Sequence, residues 1–224
     1  MQQVSIESRT KKPSDEQTAA LQRSLSMPAD IEITGYLGTG ARAHVFKANM
    51  ERNSVIVKVY REEAVQKYRH KYRVDIAEFE YQRNQSLFSL KSIKKYIAQP
   101  FRGYPASSEY THCMIQEYVA GRTLKDLIIE LGHLPREVLD AGYHIVRKAE
   151  ANGVHDLDIS SKNVMIVEQG GELIPKLYDF NLMPQCQHAP NPFLWLAFKL
   201  GLRARSYRDY RNLKKWEKRG QNAR

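Results

Sequence analysis

Residues 154–181 read VHDLDISSKNVMIVEQGGELIPKLYDFN, and the rest of the chain is understood from them. Val164-Met165-Ile166-Val167 is a short apolar run, and Pro175-Lys176-Leu177-Tyr178-Asp179-Phe180 is a second. Gly170-Gly171 between them is a strong hairpin turn signal, so the two runs read as paired strands. Such a hairpin brings Asn163, at its entrance, close to Asp179, near its exit. Their oxygens beside a triphosphate suit Mg2+, a hard cation that prefers oxygen ligands and keeps substrate phosphates in its shell. In the spacing Asp158-x-x-x-x-Asn163, Asp158 then lies beside the metal, where it can accept a hydrogen bond from an attacking hydroxyl.

Working outward toward the N-terminus, Ile31, Ile33 and Tyr36-Leu37 begin a strand that runs into Gly38-Thr39-Gly40. Glycines there let the backbone present N–H groups to phosphates. Val45-Phe46-Lys47-Ala48 reads as a second strand and Ser54–Tyr60 as a third, with Lys58 in the middle of its apolar run. A lysine in that position is costly unless paired. Glu62–Leu90 reads as one helix, with Tyr68, Tyr72, Ile76, Phe79, Arg83 and Leu87 at three- and four-residue steps. Glu80 or Glu78 on it is the candidate partner for Lys58. Tyr96–Phe101 and Thr111–Gln116 read as two further strands, with Ser107, Ser108 and Glu109 in the turn between them. Glu117–Thr123 follows, with Thr123 as the N-cap of a short helix. Pro135–Asn152 reads as a long helix with proline in its first turn and Gly153 at its end.

Composition bounds the rest. The chain has 224 residues, 42% hydrophobic and 27% charged, as in ordinary globular proteins. It has no apolar run of membrane-spanning length and no signal-peptide core. Cys113 and Cys186 have no metal-ligand spacing, and Cys113, in an apolar strand, reads as a buried structural thiol. Residues 1–26 are polar and serine-rich, which points to a disordered arm that also suits an uncleaved export signal. The net charge is +10, and from Lys199 onward ten Lys or Arg face only Asp209 and Glu217, a net +8. Phe193–Phe198 and the series Tyr207, Tyr210, Leu213, Trp216 predict one or two amphipathic helices closing the second half. Arg203, Arg205, Arg208, Arg211, Lys214 and Lys215 form a basic face: a solvated surface, or one that meets an acidic protein, acidic lipid or nucleic acid.

These motifs, in this order from Ile33 to Met183, resemble the protein-kinase superfamily. The resemblance implies an α+β, minimal two-lobed kinase-like fold, with a small β-rich N-lobe over 31–118, a truncated helical C-lobe over 119–224 and a disordered arm over 1–30. It implies ATP and Mg2+ as cofactors. Gly38, Gly40 and Val45 would cover the nucleotide, Lys58 would hold its phosphates and Glu80 would hold Lys58. Gln116 would stand at the gatekeeper position, and the backbone of Glu117 and Val119 would meet the adenine. Asp158 would be the catalytic carboxylate, with Lys162 supplying charge for the γ-phosphate, and Asn163 and Asp179 would hold the metal. There are departures. Ala43 stands in place of the third loop glycine. Asp156 stands at the position of the usual histidine, with His155 one place early. Asn181 replaces the last glycine of Asp-Phe-Gly, where its tolerance of left-handed backbone would preserve the geometry.

The small size, polar arm, Asp-Leu-Asp loop and missing peptide-binding helices look like the minimal Hop BF kinases. These are type III secreted bacterial effectors that phosphorylate the ninety-kilodalton heat-shock chaperone in the host cytoplasm. That implies a monomer with this chaperone as its serine/threonine substrate and no nucleic-acid partner. Alternatives are a small cytoplasmic kinase of the Bud or RIO type, or an ATP-binding pseudokinase scaffold.

Overall fold

The computed structural model describes residues 15–221. The chain divides into two compact units. Among the described residues, one holds 15–81 together with Phe101–Glu117, and the other holds Gln82–Pro100 together with 118–221. The segment 82–100 thus belongs with the second unit rather than with a continuous 31–118 lobe. The architecture is α+β, as expected.

The first unit is built on a five-stranded sheet. It holds β1 (Ile31–Thr39), β2 (Ala43–Met50), β3 (Asn53–Tyr60), β4 (Pro100–Tyr104) and β5 (Cys113–Glu117), in the order β1-β2-β3-β5-β4. The central β3 is buried continuously from Val55 to Tyr60, which is why its sequence reads as an apolar run broken only by Lys58. Phe46, Val55, Val57 and Ile115 form the core with Cys113, whose thiol burial pushes up to about 12, a structural cysteine. Two strand boundaries move from their expected places. Lys94–Tyr96 is a 3-10 turn that precedes β4, and β5 begins only at Cys113.

Two expectations fail in this unit. The N-terminal arm is not disordered over 15–30. Helix α1 (Asp15–Arg23) leads into a segment whose Leu21, Leu25 and Met27 pack on the sheet core. Gln22 donates to the Ile33 carbonyl (3.3 Å), and the Ser26 amide donates to Thr111 Oγ1 (2.8 Å). The rest of the expected arm, residues 1–14, lies outside the described residues. The long helix Glu62–Leu90 is also two helices. Helix α2 (Glu62–Lys67) runs into a π-helical turn, Tyr68–Tyr72, and stops at Arg73, which is left-handed at φ 59°. Helix α3 (Ile76–Phe88) starts anew because Asp75 Oδ1 accepts from the amides of Ala77 (3.0 Å) and Glu78 (3.2 Å), an N-cap. His112 (2.9 Å) and the Ala106 amide (3.0 Å) fix the same carboxylate.

The second unit contains β6 (Arg122–Thr123), α4 (Leu124–Leu131), α5 (Arg136–Ala151), β7 (Val164–Gln169), β8 (Glu172–Leu177), α6 (Pro192–Lys199) and α7 (Tyr207–Gln221). Its small sheet has the order β6-β7-β8. Thr123 caps α4 through the Asp126 amide (3.1 Å). Gly170 and Gly171 turn the β7–β8 hairpin with φ of 60° and 81°, the left-handed pair that a two-residue turn of this twist requires. Helix α7 closes the core against α5. A Cβ on Gly142 would stand 2.7 Å from Leu213 Cδ2 and 3.1 Å from the Trp216 ring, so any larger residue there would force these α7 side chains to shift. Helix α6 does not share in the closure: it buries no residue, and Phe193 is 85% exposed.

Candidate active site

In the first unit the expected lysine pair is present. Lys58 lies on β3 and Glu80 on α3, both buried, with Nζ 2.7 Å from Oε1. Glu78 is exposed, so Glu80 is the partner. The Tyr60 hydroxyl donates to Glu80 Oε2 (2.9 Å). Burial and the Glu80 charge push that phenol well above its usual range, which keeps the proton on the donor. The glycine segment joins β1 to β2, with Gly38 inside β1 and Gly40 in the turn, where the Gly40 amide donates to the Ala43 carbonyl (2.8 Å). Ala43, which replaces a glycine of the resembled pattern, is buried at the start of β2. Val45 is directly opposite Lys58 in the β2–β3 register, so the two side chains share one sheet face. Glu117 ends β5, and the chain passes into the second unit before the buried Val119.

In the second unit the hairpin does what its sequence predicts. Val164 pairs with Leu177, and the Tyr178 amide reaches the Asn163 carbonyl (3.5 Å), so Asn163 and Asp179 flank its open end. Tyr178, Asp179 and Phe180 lie beyond β8 rather than within it, and Phe180 anchors the segment in the core. Asn163 Nδ2 donates to the carbonyl of Asp158 (3.1 Å) and to its Oδ2 (3.2 Å). Committing its nitrogen to Asp158 leaves the Asn163 amide oxygen as the atom that would meet a cation. Among the described residues no group of three or more His, Cys, Asp and Glu forms a complete cage for a metal. One carboxylate and one carboxamide oxygen fit Mg2+ that takes its remaining ligands from phosphates and water. Lys162 is exposed, and its contribution is a carbonyl that accepts from the Tyr178 hydroxyl (2.5 Å).

The loop around Asp158 is held by Asp156, which accepts in place of the usual histidine, and by Asp209 and Arg208, which the motif did not point to. Asp156 and Asp158 both have left-handed backbone, φ 57° and 59°, a conformation that non-glycine residues keep only when their surroundings impose it. Asp209 of α7 imposes it, accepting from the amides of Leu157 (2.8 Å) and Ile159 (3.3 Å) on either side of Asp158. Asp156 Oδ2 accepts from Asn181 Nδ2 (2.8 Å) and the Gln185 amide (3.0 Å), which ties the loop to the segment after Asp179. Arg208 lies 3.2 Å from Asp156 and 3.6 Å from Asp158, so it faces this cluster and leaves the basic face expected of α7. Asn181 does not use left-handed backbone; its side chain makes the tie instead. His155 is buried against Ser206 Oγ (3.2 Å), and Arg83 donates to its carbonyl (2.9 Å). Burial, with the charges of Arg205 and Arg83, lowers its affinity for a proton. A signal for α7 was available: Asp209 is one of two acids among ten bases and falls in the apolar stripe with Leu213 and Trp216.

Burial pushes the Asp209 carboxyl up to about 6, and the charges of Asp156 and Asp158 add to it against the two amide bonds. A folded-state value above the unfolded one means that this group stabilises the fold below its ordinary range, and that the contribution is lost as pH rises through about 6. Measured against Asp209→Asn, wild-type stability is therefore expected to fall by on the order of 3 kcal/mol between acid and neutral pH. Urea denaturation across that range checks it, and a pH-independent difference would contradict the assignment.

No family model matches the chain. Over 73 residues it is 34% identical to a probable serine/threonine-protein kinase of Clostridium perfringens (strain 13 / Type A), a match spanning 31% of this chain and 10% of that protein. The crystal structure of Rad53 1–466 in complex with AMP-PNP superposes with a TM-score of 0.52 at 21% identity, over 67% of this chain and 39% of that one. The chain has a protein-kinase-like fold and spans well under half the length of either of these proteins.

Proposed function

We propose that the chain is a Mg-ATP-dependent protein kinase that phosphorylates serine or threonine hydroxyls. The observation that carries this reading is the buried Lys58–Glu80 pair. Desolvating both charges is costly, and a hydrophobic pair of similar volume would serve a core as well or better. The pair therefore points to a ligand for Lys58. Each unit carries groups suited to part of a nucleotide. In the first, the glycine turn between β1 and β2 and the Lys58 ammonium suit phosphates, and the Glu117 backbone suits a purine edge. In the second, Asn163 and Asp179 would hold Mg2+, and Asp158 would accept the hydrogen bond of the substrate hydroxyl and orient it. Mg-ATP would supply the phosphoryl group and neutralise its developing charge. Titration of the protein with ATP, with and without Mg2+, tests the binding half. Metal-dependent binding that Lys58→Ala and Asp179→Ala each weaken is the expected result.

The finer reading rests on the Hop BF resemblance: an effector that enters a host cytoplasm and acts on the intact ninety-kilodalton chaperone. A folded partner brings its own ordered surface, so less entropy is lost on docking than with a flexible peptide. The chaperone is expected to be phosphorylated efficiently, and an excised peptide carrying the same site poorly. Steady-state kinetics on both check this; equal kcat/KM would show that recognition is local to the reacting residue.

A further inference from the structure

We infer that α6, the turn after it and the outer face of α7 form a surface that docks on an anionic lipid bilayer. Helix α6 spans only Pro192–Lys199, yet it carries Phe193, Trp195 and Leu196 in exposed positions, and Leu200 and Leu202 follow, the last 78% exposed. Phe193, Leu196 and Leu200, at steps of three and four, share one side of the helix. Single exposed apolar residues are ordinary; a contiguous cluster marks an interaction site. Among the described residues no helix is long and apolar enough to cross a membrane. A short apolar ridge of this kind suits the interface instead.

The charge around the ridge selects the partner. Between Asp179 and Asp209 the chain has no acidic residue. Lys199 Nζ lies over the Trp195 ring at 5.6 Å. Arg203 stacks on Tyr207 at 4.1 Å and reaches Phe198 at 6.0 Å, and Arg211 lies 5.7 Å from the same Tyr207 ring. These contacts join the ridge to the outer face of α7, where Tyr207, Arg211, Lys214 and Lys218 are exposed along one line. Aromatic and aliphatic side chains beside a predominantly cationic rim match the headgroup and acyl layers of an anionic leaflet. The inference does not depend on phosphoryl transfer by this chain.

The test is sedimentation of the full chain with phosphatidylcholine vesicles, with and without phosphatidylserine. Phosphatidylserine is expected to tighten binding by about tenfold or more, since several basic residues near an anionic surface each add to the attraction, and added salt is expected to reverse it. Trp195 is half-exposed while Trp216 is buried, so a blue shift of tryptophan emission on binding reports the ridge itself. Leu200→Glu with Leu202→Glu, at exposed positions, is expected to keep the circular dichroism and melting temperature and lose both vesicle binding and the blue shift. Failure to bind phosphatidylserine vesicles, equal binding to neutral ones, or wild-type binding by the double variant would overturn the inference, the first leaving the ridge to a protein partner.

Discussion

Asp158→Ala is expected to bind Mg-ATP as the wild type does and to transfer phosphate roughly 10²–10⁴-fold more slowly, the range that a positioned acid–base group supplies. Asn163 explains why binding should survive. Its amide nitrogen is held by the Asp158 carbonyl (3.1 Å) as well as by the carboxylate, so the oxygen assigned to metal keeps its orientation when the side chain is removed. The loop conformation should also persist, because Asp209 holds it through the amides of Leu157 and Ile159 and not through Asp158 itself. Asp179→Ala should behave differently. It removes the carboxylate assigned to Mg2+, so metal-dependent ATP binding should weaken along with transfer. Calorimetric titration beside a transfer assay separates the two variants. Full activity in Asp158→Ala would overturn the site assignment.

The largest effect on stability is expected at Lys58. Removing one member of a buried ion pair leaves the other charge uncompensated, at roughly 3–5 kcal/mol. Lys58→Ala leaves Glu80 in place, 1% exposed, with only the Tyr60 hydroxyl still donating to it among the bonds described above. That surviving bond sets the expectation at the lower end, about 3 kcal/mol. Lys58→Met combined with Glu80→Gln removes both charges at similar volume and should recover most of the loss. Denaturation midpoints for the two variants check this, and transfer assays add the functional half. The stable double variant should be as inactive as the single one, because a pair retained for ligand binding gains nothing from restored stability.

How much of this was legible in the sequence depended on how local each signal was. The hairpin around Gly170-Gly171 and the cap at Thr123 are decided within a few residues, and both stand where the sequence puts them. The pairing of Lys58 with Glu80 joins two elements, but an ionised lysine in an apolar strand announces that it needs a partner. What stayed hidden depended on distant partners. Nothing near Leu21 and Leu25 reveals that a sheet face will receive them. The break before Ile76 follows from an Asp75 carboxylate that His112 and Ala106 fix from outside the helix. Arg208 and Asp209 read as members of a basic amphipathic helix until the fold sets them against a loop some fifty residues away, at a separation of 52 for Leu157 and Asp209. The apolar run Phe193–Phe198 looked like core because hydrophobic content alone does not say which surfaces will be covered.

Transfer of phosphate from ATP, with Asp158 orienting the acceptor, is the activity proposed for this chain. The most direct measurement incubates wild-type and Asp158→Ala protein with γ-labelled ATP, Mg2+ and a eukaryotic cell lysate, and follows label in protein. Discrete labelled protein is expected with the wild type and none above background with the variant, although both bind Mg-ATP. ATP binding by the wild type with no labelled protein, or equal labelling by both, would contradict it.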